Sequence, residues 1–412
     1  MTVPAKKAIK VFALSALGLG LFISYGQPCT VIVASGKATP DGKPLMWKNR
    51  DTSALENKMV YVRGLKYGFI GLVDATDSAG RSVWAGVNDR GFAILNTLSS
   101  DLGEGEKAAA ENGTLMARAL GECANIAAFE SLLTQTNGQR QTASNFCVID
   151  AEGNACVFET ARSGFAKFDT QDPRVAPFGY IVRTNYAYSA AGKAGGGGYI
   201  RFERASKLAQ TAVAERNLTP KFVLQSAARD LVNEKLLSDP LGAPLPRDPA
   251  TPLHILANDT VNRSATASAV LFHGAASPEK SALTTMWVLL GQPVTTAAVP
   301  LWAAAEKVPA ALSGPKTAPV NDFARALASY LYPDRRAGLT QYMNATRLRT
   351  YGGEGVLPKL FRIEDAILEN TRLALKEWEN SLPGASKVFE FEDGLATGLL
   401  NSLREAFPDI LR

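Results

Sequence analysis

Polarity along the chain starts with a block. Lys6, Lys7 and Lys10 precede an apolar run over residues 11–23, broken only by Ser15 and two glycines, and no acidic residue occurs before Asp41. Basic, then apolar, then small at Ser24 and Gly26 is the order of a secretory signal peptide over residues 1–26. The run is shorter than the ~20 residues of a bilayer-spanning helix; a retained membrane anchor is the alternative. Beyond the leader, β-rich runs flank a turn at Pro40-Asp41-Gly42, which predicts a hairpin. Residues 145–149 and 155–159 do the same around Asp150-Ala151-Glu152-Gly153-Asn154. Helical spacing follows. Thr219-Pro220 reads as an N-cap and first helical residue, with Val223, Leu224, Ala227 and Leu231 on one face. Phe323, Leu327, Tyr330 and Leu331 repeat within 321–331, and Ile363, Ile367, Ala374 and Trp378 repeat until Pro383-Gly384. Residues 299–320, rich in Ala and Pro, read as a connector over the surface.

Composition narrows the classes. With 412 residues, 46% of them apolar and 20% charged, the chain can bury a large core. Disordered, collagen-like and small disulfide-stapled classes are excluded. Only His254 and His273 are present and no CxxC pair occurs, which argues against zinc sites and multi-imidazole mechanisms. No cofactor or metal is expected. Three of the 44 Lys and Arg lie in the leader, so the mature chain carries 41 against 39 acidic residues. That balance gives no case for nucleic acid, and without the leader none for a membrane.

Export permits disulfides but does not require them. Cys147 and Cys156 fall across the 145–159 hairpin, near enough to pair or merely to pack, and Cys123 falls in a helical stretch with Ile126, Phe129, Leu132 and Leu133. A small buried hydrophobe is the favoured reading of all three. Cys29 differs because it follows the leader almost at once. Lipidation would want small residues before it, and Pro28 fits that poorly. Cleavage after Gly26 leaves Gln27-Pro28, and a second cut would free an α-amine beside the Cys29 thiol. That pair suffices for amide hydrolysis: the amine takes the thiol proton and returns it to the leaving group, with no histidine.

The run Cys29-Thr30-Val31-Ile32-Val33-Ala34-Ser35, the Asp41-Gly42 turn and Asn49-Arg50-Asp51 resemble the opening of N-terminal-nucleophile amidohydrolases. The nearest groups are the choloylglycine hydrolase and penicillin V acylase family and the acyl-CoA:6-aminopenicillanate acyltransferase-like family. Four further stretches agree in order: Gly86-Val87-Asn88-Asp89-Arg90-Gly91 with the strand to Asn96, the hairpin ending Glu159-Thr160, Arg183-Thr184-Asn185, and Arg201-Phe202-Glu203-Arg204. Late strands around Met286-Trp287 and Gly291-Gln292-Pro293 still look like the acyltransferase-like branch.

The resemblance implies an α+β fold, a four-layer αββα sandwich with two antiparallel sheets between helical layers. It implies a propeptide at 27–28, a catalytic domain at 29–332 and a helical extension at 333–412 packed on it. Cys29 would be the nucleophile, Asp51 would orient its amine and thiol, and Asn185 would donate to the oxyanion. Arg201 would hold the charge network, with Asn96 a second oxyanion contributor. The partner would be a small-molecule acyl-amide cleaved through a thioester; a homo-oligomer stays open. An N-terminal-cysteine dipeptidase, an acyltransferase and a catalytically inactive exported binding protein are the alternatives. The family usually places Arg three residues before the Asp, where this chain has Lys48. Lys48 or Arg50 would supply that charge, and both reaching the sulfur is not expected. The structural reading of Asn88–Gly91 is a hairpin turn, and that of the 195–198 glycine run a flexible loop.

Overall fold

The computed structural model describes residues 29–103, 109–190, 192, 194–242, 244–333 and 340–410. The signal peptide and propeptide expected at 1–28 lie outside the described residues.

The chain opens with the hairpin expected at Asp41-Gly42: β1 (Thr30–Ala34) and β2 (Leu45–Asp51) pair antiparallel, Thr30 opposite Asn49, and Gly42 takes φ +75° at the turn. A meander of seven strands follows: β3 (Asn57–Arg63), β4 (Gly68–Asp74), β5 (Ala85–Asn88), β6 (Ala93–Leu98), β7 (Ser144–Ile149), β8 (Ala155–Thr160) and β9 (Phe165–Asp169), interrupted by helices α1 (Asn112–Glu122) and α2 (Ile126–Gln135). Strand β10 (Tyr180–Arg183) returns to the first sheet beside β1, and helices α3 (Tyr199–Ala214) and α4 (Pro220–Gln225) cross it. After β11 (His254–Leu256), strands β12 (Thr266–His273), β13 (Thr285–Leu290) and β14 (Val299–Leu301) complete that sheet in the order β10-β1-β2-β12-β13-β14. Helices α5 (Ala310–Ser313) and α6 (Pro319–Leu331), strand β15 (Tyr342–Asn344, paired with β11) and helices α7 (Ala345–Leu348), α8 (Val356–Trp378) and α9 (Ala385–Ala406) end the chain.

The period-two alternation of the strands builds the layers. In the seven-stranded sheet Met59, Ile70, Leu72, Val87, Leu95, Cys147 and Val157 face the first sheet and share a core with Val31, Val33 and Met46. Their neighbours Phe69, Ile94, Phe146, Val148 and Phe158 face α1 and α2, where Phe129 meets the rings of Phe92, Phe146 and Phe158. Ala205, Ala209 and Ala212 of α3 and Val223 and Leu224 of α4 cover the other side of the first sheet. The expected order of helix, sheet, sheet, helix is present.

Four local expectations need correcting. Residues 299–320 are not a surface connector: 299–301 form the edge strand β14, and Trp302, Ala303, Ala305, Ala311 and Leu312 are buried. Small apolar side chains let backbone approach backbone there, and the Trp302 N–H donates to Glu392 of α9. Thr219 caps α4 as expected, but the helix stops at Gln225 and a 3₁₀ turn over Ala227–Arg229 replaces its continuation. Cys123 is the C-cap between α1 and α2 rather than a helical residue. Tyr330 is exposed, off the apolar face shared by Phe323, Leu327 and Leu331.

Candidate active site

Three adjacent strands bring the site together. Val31 of β1 pairs with Lys48 of β2 on one side and Arg183 of β10 on the other. One rung beyond, Cys29 comes to lie between Asn49-Arg50-Asp51 and Asn185. Helix α3 supplies Arg201 from its first turn, after the N-cap Gly198.

Cys29 is buried, and its main-chain nitrogen donates to Asn185 Oδ1 at 2.8 Å. Arg201 Nη1 donates to the Cys29 carbonyl at 2.6 Å and to Thr30 Oγ1 at 2.8 Å, while Nη2 donates to Asn185 Oδ1 at 2.8 Å. Two donors on one oxygen fix which way the Asn185 amide points, and its Nδ2 donates to Leu98 O at 2.8 Å. The resemblance implies only an oxyanion role for Asn185; the bond it accepts from the Cys29 nitrogen leaves no sign in the sequence.

Asp51 accepts from Thr266 Oγ1 at 2.6 Å, and Arg263 Nη1 stands 3.6 Å from its Oδ2. Burial pushes its carboxyl up to about 6, against the opposing pull of Arg263 and Arg201. Arg263 and Thr266 escaped the sequence reading because neither sits in a recognisable motif. Thr266 reaches Asp51 through the β2–β12 register, which shifts at this rung.

Regular alternation in β2 separates its polar residues. Asn49 turns to the helical side, where Nδ2 donates to Ala228 O and Val261 O. Lys48 and Arg50 both turn to the second sheet. Lys48 Nζ donates to Trp84 O at 3.0 Å and to Asn96 Oδ1 at 2.9 Å; Asn96 in turn donates to Ser144 Oγ at 3.0 Å. Asn96 therefore sits inside the site as part of a cradle for Lys48. Arg50 is committed to Asp74 at 2.8 Å and Asn57, and its guanidinium lies 4.9 Å from the centroid of the Trp84 ring. Burial pushes the Lys48 ammonium down to about 8, and the charge of Cys29 does most to hold it up. Cys29 also acts on Arg50, as a weaker influence than Asp74. Both basic residues thus share the neighbourhood of Cys29, and Lys48 is the one not already paired with a carboxylate.

Gly196 and Gly198 of the 195–198 run sit in close packing, whereas a Cβ on Gly197 would meet nothing within 4 Å. A Cβ on Gly198 would come 2.5 Å from Arg201 Nη2, and one on Gly196 would come 2.7 Å from Tyr186 Cβ. Asn88 is the turn residue expected: Nδ2 donates to Leu120 O and Cys123 O at the far end of the second sheet. No disulfide joins any of the four cysteines among the described residues. Val148 pairs with Cys156, so Cys147 and Cys156 face opposite sides of the hairpin and cannot bridge. Burial pushes Cys123, Cys147 and Cys156 each up to about 12. His273 pairs with Asp41 at the opposite end of β2, at 2.8 Å. Among the described residues no group of three His, Cys, Asp or Glu is placed to hold a metal. An open groove of about 840 Å³, lined by Thr52, Leu55, Ser264, Ala265, Arg325 and Tyr332 among others, begins where β2 ends beside Asp51.

No family model and no curated protein matches the chain. Solved structures similar to it include a Caenorhabditis elegans N-acylethanolamine-hydrolyzing acid amidase ortholog, at 15% identity and TM-score 0.39, covering 63% of this chain and 100% of that one. A conjugated bile acid hydrolase from Clostridium perfringens is similar at 11% identity and TM-score 0.39, covering 64% and 89%. A penicillin V acylase from Agrobacterium tumefaciens is similar at 13% identity and TM-score 0.38, covering 66% and 85%.

Proposed function

We propose that the chain is an exported amidohydrolase that cleaves a linear, non-peptide C–N amide bond through a thioester on Cys29. The observation that carries this reading is the seat of the Cys29 nitrogen. The Asn185 amide oxygen accepts from it, and one guanidinium ties that oxygen to the Cys29 carbonyl. Removal of residues 1–28 turns this nitrogen into an α-amine with pKa about 7.7–8.0, close to the pKa of ~8.5 of a free thiol. The amine takes the thiol proton and the thiolate adds to the substrate carbonyl carbon. As the tetrahedral oxyanion collapses, the C–N bond breaks and the same proton leaves with the amine product. Water, deprotonated by the α-amine, then adds to the thioester carbon; the C–S bond breaks, the acid leaves, and the proton returns from the amine to the Cys29 sulfur.

Asn185 donates to the oxyanion in this reading, and Lys48 stabilises the thiolate as a point charge where the related families use a planar guanidinium. Asp51 holds Arg201 and Arg263 in register around the amine. Substrates are acylated amino compounds such as penicillin V, conjugated bile acids or N-acyl amino acids.

Intact-mass analysis of the secreted protein tests the premise: the active form starts at Cys29, and full activity with Gln27-Pro28 still attached would overturn it. A panel of penicillin V, glycocholate, N-acyl amino acids and dipeptides, followed by amine release, tests the reaction. Release from dipeptides alone would assign a dipeptidase. Transfer to an added amine in place of hydrolysis would assign an acyltransferase. No release, with no iodoacetamide labelling of Cys29, would assign a binding protein.

A further inference from the structure

Asn145, in β7, is fully buried and donates to three oxygens. Its Nδ2 lies 2.9 Å from Thr97 Oγ1, 3.2 Å from Thr184 O and 3.0 Å from Tyr186 O. The last two are the carbonyls immediately before and after Asn185. A carbonyl only accepts, so the nitrogen and not the oxygen of Asn145 must face them. The turned-away Oδ1 is left buried without a hydrogen-bond partner, so the orientation is held by the three bonds of Nδ2 at the cost of an unmet acceptor.

The residues that follow are held in the same way. Asp101 Oδ2 accepts from Ala187 N at 2.9 Å, and Glu159 accepts from Tyr188 N at 2.9 Å and Ser189 N at 2.7 Å. Asn145 differs from these two in bracketing Asn185 itself. Asn185 belongs to the first sheet's end and Asn145 to the second sheet, so the bracket also sets the gap between sheets at the site.

We infer that Asn145 is a positioning residue: by bonding the Thr184 and Tyr186 carbonyls it fixes the peptide planes on both sides of Asn185, and so sets where Asn185 meets the Cys29 nitrogen. This rests on the reading of Asn185 given above. Misplacement of a catalytic group by ~1 Å costs about 10²-fold in rate, so Asn145→Ala should lower kcat by roughly 10–10²-fold while KM moves by less than about threefold.

The test sets Asn145→Ala beside Asn88→Ala and Asn185→Ala, with kcat and KM measured on the panel amide that is turned over fastest and folding checked by thermal unfolding. Asn88 is the matched control, a buried Asn whose Nδ2 also bonds two main-chain carbonyls, at the end of the sheet away from Cys29. The expected result is a fall in kcat for Asn145→Ala and Asn185→Ala, and a lower melting temperature with unchanged kcat for Asn88→Ala. Should Asn145→Ala not fold, Asn145→Ser, which keeps a shorter donor, is expected to show a smaller fall in kcat than Asn185→Ala. Normal kcat at position 145 with a loss at position 185 overturns the bracket alone. Normal kcat for Asn185→Ala overturns the role of Asn185, and the bracket with it. An equal kcat loss in Asn88→Ala reduces Asn145 to general stability and also overturns the inference.

Discussion

Two buried arginine clusters border the first sheet, and they are finished to different degrees. Arg229 is closed. Its Nε donates to Pro293 O, Nη1 to Leu224 O and Glu364, and Nη2 to Thr296 O and Glu364, while Glu364 also accepts from Ala298 N. Arg201 is not closed: its Nε has no hydrogen-bond partner, nor has Asp51 Oδ2, and the Arg263–Asp51 pair stands at 3.6 Å. A buried ion pair repays its desolvation only where geometry and extra hydrogen bonds are complete. Arg229–Glu364 meets that condition and pins α8 to the body. The Cys29 cluster leaves donors and an acceptor unmet beside the displaced Lys48 ammonium and Asp51 carboxyl, which on the proposed function is where a ligand is met. On the proposed function the closed cluster docks a helix and the unfinished one does the work.

The sharpest way to break this contrast is Cys29→Ala. Amine release should fall to background on every member of the panel, with thermal unfolding close to that of the parent. Residual turnover above the uncatalysed rate would place the nucleophile elsewhere. Glu364→Leu should do the reverse. Removing one partner of a buried pair leaves the other charge uncompensated and costs about 3–5 kcal/mol, visible in urea unfolding, while kcat at a temperature where the protein stays folded should not change. The double variant Arg229→Met with Glu364→Leu should recover much of that loss, because no lone charge remains. If Glu364→Leu instead lowered kcat in the folded protein, the division between a docking cluster and a working cluster would fail.

Much of this contrast is legible in the chain alone, and the reason is locality. The β1–β2 hairpin needs only Asp41-Gly42 and its flanking runs, and Asn185 and Arg201 sit in short strings with a recognisable order. Arg263, Thr266 and Asn145 are not legible. Thr266 reaches Asp51 across 215 positions of sequence, and Asn145 serves Asn185 from the other sheet; neither pairing leaves a local trace. Residues 299–320 mislead for another reason. Alanine and proline are common in exposed connectors, yet the same small side chains let β14 and Trp302 lie close under α9, and composition does not separate these cases. In the glycine run the missing side chains serve close packing at Gly196 and Gly198, which composition does not reveal either.

The displaced carboxyl of Asp51 gives the next test. Its folded value, about 6, lies above the ordinary 3.8, so between these values the folded chain binds more protons at Asp51 than the unfolded one. Stability from this group is therefore fully present below about pH 4 and is lost as pH rises to about 6, by on the order of 2–3 kcal/mol. In Asp51→Asn, urea unfolding measured across pH 4–6 should lose that downward component. An unchanged slope would show that Asp51 is ionised in the folded protein throughout.

The smallest effect separates Lys48 from the guanidinium expected at its place. Lys48 titrates near 8 in the folded chain against an ordinary 10.5, because burial disfavours the ammonium more than Cys29 favours it. Below about pH 8 the charge is present and supports the thiolate; above it the charge is lost. Neutral amine cannot stabilise a thiolate, so turnover should fall by up to about tenfold per pH unit on the alkaline side. Arginine holds its proton beyond pH 12, so Lys48→Arg should keep its activity further into alkali if the new side chain fits among Trp84, Asn96 and Ser144. Lys48→Met, matched in length and uncharged, should be weakened at every pH and show no such extension. Identical alkaline limbs in the parent and Lys48→Arg would show that the limb does not report Lys48.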